Sequence, residues 1–187
     1  MAASPSAVFA LYPPAKPQRL SPKVWIPVLV GLAVICFEST PIMGGDRTGK
    51  WLTEIWPAVL AKSDPTAFGL VHHLLRKLGH FTGYGTLGLL LRKAWHQSVR
   101  IYLKLVGSPL MFAASALSVV FTFVVGSLDE LHQSMLPNRT CTFRDVLIDT
   151  SGALIFNAIF WAIRARRRGA LRLNLCTLRA YSVKGAQ

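Results

Sequence analysis

The residues able to do chemistry concentrate in one stretch, Gly126–Gly152, which reads GSLDELHQSMLPNRTCTFRDVLIDTSG. Asp129, Glu130, His132, Gln133, Arg139, Arg144, Asp145 and Asp149 all fall within it, between apolar runs at Ser108–Leu128 and Ala153–Ile163. Polar groups placed between membrane-grade segments are costly to keep and mark functional positions. A second group, His73, Lys77, His80 and Tyr84, recurs at spacings of four, three and four, which makes one stripe along a helix. Asp145, Asp149 and Gly152 form a matching stripe at spacings of four and three. Asp129, Glu130 and Gln133 close the apolar run before them, and Arg139 lies in the connection that follows.

Two kinds of chemistry suit this set. A lysine, an arginine and a histidine at a membrane surface fit a phosphate or pyrophosphate head group. The neighbouring carboxylates fit an ammonium group, or serve as a base, with His80 and Glu130 as the candidate acid–base groups for hydrolysis or transfer at a lipid-linked phosphate. Ser127 and Ser134 lack the GxSxG setting of a nucleophile. No HExxH or other close-spaced ligand motif indicates a metal, and no cofactor is expected. Each residue also has a plainer role when taken singly. Lys77 can snorkel, His80 can pack in a helix, Asp145 can offset a helix dipole, and Glu130 with Arg139 can brace a hairpin.

The elements that must position these groups are helical and apolar. Hydrophobic residues make up 52% of the 187 and the mean hydropathy is +0.41, above a soluble average. Ser108–Leu128 is the clearest span, with no charge before its end. Val24–Phe37 is a shorter first span with Trp25 at an interface, and no small-residue cleavage site follows its end, VICFEST. Ser63-Asp64-Pro65 opens a helix, and Lys77–Leu91 crosses as the second span, its glycines allowing close helix approach. Residues 66–76 either lie in the interface or extend that span. Arg144–Ile163 supplies the fourth. Arg92–Lys104 reads as a short basic loop. Leu52, Ile55, Trp56, Val59 and Leu60 make an amphipathic helix that lies in the interface or packs on the bundle end. The expected fold is therefore an all-α integral membrane protein with four transmembrane helices and a short interfacial helix. Residues 1–23 form a basic, proline-rich tail, 24–163 the membrane domain and 164–187 a basic tail.

The charge map orients this arrangement. Fourteen of the 21 cations fall in 1–23, 92–104 and 164–187, which hold no acid, and all eight acids fall in or beside the other connections. The positive-inside rule then places both termini in the cytoplasm. The net charge of +13 reflects this topology and contact with the inner leaflet. No nucleic-acid-binding motif accompanies it, so nucleic acid is not an expected partner. The three cysteines lie at different levels and read as free thiols.

Two segments resemble a known family. KLGHFTGYGTLGLLL (Lys77–Leu91) resembles the K-x-x-H-F-x-x-Y-x-x-L-G signature of the VanZ-like membrane proteins. DELHQSMLPNRTCTFRDVLIDTSGALI (Asp129–Ile155) is similar to their second signature, D-E-x-x-Q, then P-x-R, then D-x-x-x-N-x-x-G. By position the resemblance carries over Lys77, His80, Tyr84, Glu130, Gln133, Arg139, Asp145 and Gly152, and with Asp149 these make the candidate ligand-binding set. Asn138 stands where glycine often precedes the arginine, and Asp149 stands where asparagine is common, adding a charge. The resemblance implies a bacterial inner-membrane protein, in a family whose named member is associated with resistance to the glycopeptide teicoplanin. The expected partners are the bilayer and an envelope lipid or glycopeptide head group. A membrane hydrolase or transferase, and a non-catalytic module that docks a partner through the Gly83–Gly88 face, are the alternatives. Oligomeric state is not legible.

Overall fold

The computed structural model describes residues 20–55, 64–136 and 142–184. Among these the protein is all-helical. A 3-10 turn at Pro22–Trp25 leads into α1 (Ile26–Glu38), and a second at Pro41–Met43 leads into α2 (Gly45–Ile55). Three long helices follow: α3 (Pro65–Tyr102), α4 (Gly107–Ser134) and α5 (Phe143–Lys184). Asp64 caps α3 by accepting from the Ala67 N–H at 2.9 Å, with Pro65 at the first helical position. Between α3 and α4 the chain reverses within four residues. Lys104 and Gly107 take positive φ there, 51° and 66°, which glycine adopts without cost.

α3 is the central element and packs against α1, α4 and α5. Its face toward α1 contributes Tyr84, Leu87, Leu91 and Ala94 to a core with Val28 and Ile35. Its face toward α5 is stripped to glycine. A Cβ at Gly88 would come within 2.7 Å of Ala153 Cβ, and one at Gly85 within 2.9 Å of the Phe156 ring. The Gly83–Gly88 face proposed for a partner is thus partly occupied by the protein's own α5, whereas no atom lies within 4 Å of a Cβ built at Gly83.

Polar groups are buried beside the apolar core, and large apolar side chains cover the surface. Ser118, Thr122 and Asp149 are fully buried, while Leu29, Phe112, Val120, Leu128, Leu154 and Ile159 are exposed. Large apolar side chains in such numbers on the surface suit lipid as the surrounding medium. α4, and α5 over Phe143–Gly169, are long and apolar enough to cross a bilayer. α1 has 13 residues, and the charge-free part of α3, 78–91, extends about 21 Å at 1.5 Å per residue. Both fall short of a hydrocarbon core of about 30 Å.

One expectation is corrected, and one open alternative is decided. Arg92–Lys104 is no loop: α3 stays helical through Tyr102, because Leu91, Ala94, Ser98 and Val99 bury one face while Lys93 and Arg100 stay outside. Residues 66–76 are the first turns of that same helix. α5 likewise continues as helix beyond Ile163 to Lys184. The amphipathic segment is helical as Gly45–Ile55, and Trp56, Val59 and Leu60 lie outside the described residues.

Candidate functional site

The chemistry-bearing side chains meet because α3 and α5 touch backbone to backbone. A Cβ at Gly152 would lie 2.2 Å from the Phe81 carbonyl oxygen, so this position admits glycine alone. That contact sets the two helices side by side, running in one direction. Lys77 Nζ then forms an ion pair and hydrogen bond with Asp145 Oδ1, and one turn further on His80 faces Asp149. The C-terminal ends of α1 and α4 reach the same end of the bundle and complete the cluster.

Asp129 is its hub. Tyr84 Oη donates to Asp129 Oδ2 at 3.0 Å, and Gln133 Nε2 donates to the same oxygen at 2.8 Å. Ser39, just past α1, donates its hydroxyl to Asp129 Oδ1. Three helices are thus tied through one carboxylate. Tyr84 is buried, and its ring stacks on the His80 imidazole with centroids 6.2 Å apart.

Asp149 lies beside this hub and is treated differently. It is fully buried, and neither carboxylate oxygen has a hydrogen-bond partner. His80 Nδ1 lies 3.5 Å from Asp149 Oδ1, within ion-pair range but too long for a good hydrogen bond. Gly126 of α4 leaves the space next to it: a Cβ there would sit 3.5 Å from Asp149 Oδ2 and 3.8 Å from the Tyr84 ring. Glu130, also buried, points to the start of α5 and accepts the Thr142 N–H at 3.2 Å. An acid at a helix N-terminus offsets its dipole and meets one of its unpaired donors.

The structure therefore brings together Lys77, His80, Tyr84, Gln133, Asp145 and Asp149, with Glu130 at the margin. Arg139 lies outside the described residues. His73 is exposed and takes no part, because the register that sets Lys77 against Asp145 leaves it ahead of the first residue of α5. His72 faces inward instead, its Nε2 lying 3.0 Å from Thr48 Oγ1 of α2. Burial first, then Arg76 and His73, hold the His72 imidazole below its ordinary value. The group facing His80 is Asp149, while Glu130 is turned to the Thr142 amide. Two contributors were missed. Asp129 was visible in the sequence but not placed among the ligand-binding positions, and Ser39 gave no sign, being 90 residues away along the chain. Among the described residues, no group of three His, Cys, Asp or Glu side chains is arranged to hold a metal ion.

Comparison with known proteins gives one match. The family model described as VanZ/LLP1 matches residues 10–164, a stretch that contains every group of this cluster. No curated protein and no solved structure matches the chain.

Proposed function

Since the chain belongs to the VanZ/LLP1 family, we propose that it is a bacterial inner-membrane protein whose outward-facing end binds the head group of an envelope lipid or glycopeptide. In this reading α1, α3, α4 and α5 all cross the membrane, the two shorter ones aided by snorkelling of Lys77 and Arg92 and by Trp25 at an interface. Both basic termini, 1–23 and 164–187, are cytoplasmic, and α2 lies on the outer surface with Trp51 toward the lipid.

The observation that carries the proposal is Asp149. A buried carboxyl group without a hydrogen bond costs several kcal/mol in a low-dielectric interior, so it is kept where a ligand completes it. Asp129, Glu130, Asp145 and Asp149 gather here with Lys77 and His80, and Arg76 is near enough to act on His80. The buried Asp149 carboxyl, without a hydrogen bond, favours a head group bearing an ammonium as its partner. The test is teicoplanin susceptibility of a host expressing wild type, His80→Ala, Glu130→Ala, Arg139→Ala or Asp149→Asn, at matched membrane levels. Wild type should protect and the variants should not. Equal protection by every variant would sink the pocket, and no protection by any version would remove the link to resistance.

The approach of His80 Nδ1 to Asp149 also favours a second reading, in which the pair acts as acid and base on a lipid-linked phosphate. Purified protein would then turn over a polyprenyl phosphate, and His80→Ala would abolish turnover. Absence of turnover across pH and added divalent metals counts against it.

A further inference from the structure

The end of the bundle opposite the acidic cluster carries a group of cations with no acid among them. Lys77 meets Asp145 68 residues further along the chain, and Arg92 meets Phe160 at the same separation. Continuing that register sets His96 beside Arg164, with Arg100 and Arg168 one turn further along their helices. Spacing of four keeps Arg92, His96 and Arg100 on one face of α3, and Phe160, Arg164 and Arg168 on one face of α5. The electrostatics agree with this placement. Burial first, and then Arg92, Arg100 and Arg164, hold the His96 imidazole below its ordinary value. Arg92 is itself lowered by burial and then by Arg164. These groups lie beyond the apolar runs of both helices.

Among the described residues no acid lies beside them. The acids that follow Arg92 in the sequence are Asp129, Glu130, Asp145 and Asp149, all at the other end. Arg92 Nε is buried without a hydrogen-bond partner, while its guanidinium carbon lies 3.4 Å from the Phe160 ring centroid. The ring offers the cation a π face but no acceptor for its N–H groups. Like charges at this spacing repel, and guanidinium groups pair best with phosphate oxygens, two N–H bonds at a time. Ile159 and Ile163, neighbours of Phe160 and Arg164 on α5, are exposed and offer an apolar surface next to the cations.

We infer that Arg92, His96, Arg100 and Arg164 form a binding site for a phosphate-bearing anion, namely the head group of an anionic phospholipid whose acyl chains lie along Ile159 and Ile163. The site is separate from the acidic cluster and does not depend on what that cluster binds.

The test is thermal unfolding of the full chain in neutral detergent, titrated with phosphatidylglycerol, phosphatidylcholine or inorganic phosphate. Phosphatidylglycerol should raise Tm to a plateau and phosphatidylcholine should not. Arg92→Gln with Arg164→Gln should weaken the apparent affinity about tenfold or more, the loss of charge-assisted phosphate contacts. Because Arg92 packs on Phe160, its replacement can disturb the fold. Arg100→Gln with Arg168→Gln, both exposed, is the second variant and should also weaken the response. Lys50→Gln, an exposed cation on α2, should leave it unchanged. An equal response to phosphatidylcholine, or a phosphatidylglycerol response unaltered in both double variants, overturns the site. Inorganic phosphate reaching the same plateau, with the same sensitivity to substitution, overturns the lipid assignment in favour of free phosphate.

Discussion

Two sets of polar side chains are buried along α4 and α5, and the protein treats them in opposite ways. Toward the basic end lie Ser115, Ser118, Thr122, Asn157 and Trp161. Ser118 and Thr122 each donate to a carbonyl one turn back, at 2.8 Å. Asn157 Nδ2 reaches Ser118 Oγ at 3.2 Å and the Ala153 carbonyl at 2.9 Å, and Trp161 Nε1 donates to Ser115 Oγ at 3.1 Å. These are neutral groups whose donors find acceptors within the bundle, which is how polar residues join helices in lipid, although Asn157 Oδ1 is buried without a donor. Toward the other end the groups are acidic, and satisfaction is uneven: Asp129 receives three donors while Asp149 beside it receives none. Neutral groups whose donors are met locally read as joinery. A buried acid that accepts no hydrogen bond, with only His80 in ion-pair range, reads as a place kept for something else.

The largest expected effect removes the frame that both sets share. Gly152→Val places side-chain atoms where the Phe81 carbonyl already sits. Overpacking against backbone costs about 3 kcal/mol or more here, because no side chain can move aside. Gel filtration of the extracted variant should show loss of the monodisperse folded species. A normal profile would mean that α3 and α5 do not approach this closely.

Next in size is Asp129→Ala, which removes at once the acceptor that Tyr84, Gln133 and Ser39 share. Leaving buried polar groups unpaired in this way costs about 3 kcal/mol, measurable by unfolding in mixed micelles. Asp129→Asn keeps an acceptor and should recover part of the loss. Equal values for Ala and Asn would show that the hub does not hold the three helices together.

Much of this arrangement was legible beforehand, and the exceptions share a cause. The α4 helix, long and apolar enough to cross a bilayer, was plain because its run carries no charge before its end. The facing stripes Lys77–His80–Tyr84 and Asp145–Asp149–Gly152 followed from helical spacing alone. Helical spacing, however, gives a face and not a partner. It did not show that His80 faces Asp149 while Glu130 turns to the Thr142 amide, nor that α5 begins too late to meet His73. Arg92–Lys104 looked like a loop because charge there outweighed a weaker signal, the burial of Ala94, Ser98 and Val99 along one helix face. Ser39 was beyond reach: a serine after a helix has many uses, and its link to Asp129 exists only once four helices are packed.

Asp149→Leu sharpens the comparison most directly, because stability and function should move apart. Asp149 accepts no hydrogen bond and has only the 3.5 Å approach of His80, so its replacement by an apolar group of similar volume should cost less stability than Asp129→Ala. The same change should abolish protection of the host. Asp149→Asn, which removes the charge and keeps a polar group of the same shape, should be close to neutral in stability and should separate a need for charge from a need for polarity. An Asp149→Leu variant as destabilised as Asp129→Ala would place Asp149 with the structural groups and dissolve the contrast.

The smallest effect belongs to the opposite set. Ser118→Ala removes the acceptor for Asn157 Nδ2, but that nitrogen keeps the Ala153 carbonyl, and the Ser118 backbone carbonyl still receives Thr122. The expected cost is about 0.6 kcal/mol, typical of a single interhelical hydrogen bond in lipid, with full protection of the host retained. Unfolding in mixed micelles and the susceptibility assay, run on the same preparations as Asp149→Leu, set the two sets side by side. If Ser118→Ala instead lost protection at unchanged stability, the neutral ladder would belong to the functional path. Distance from the acidic cluster would then no longer separate structural polar residues from working ones.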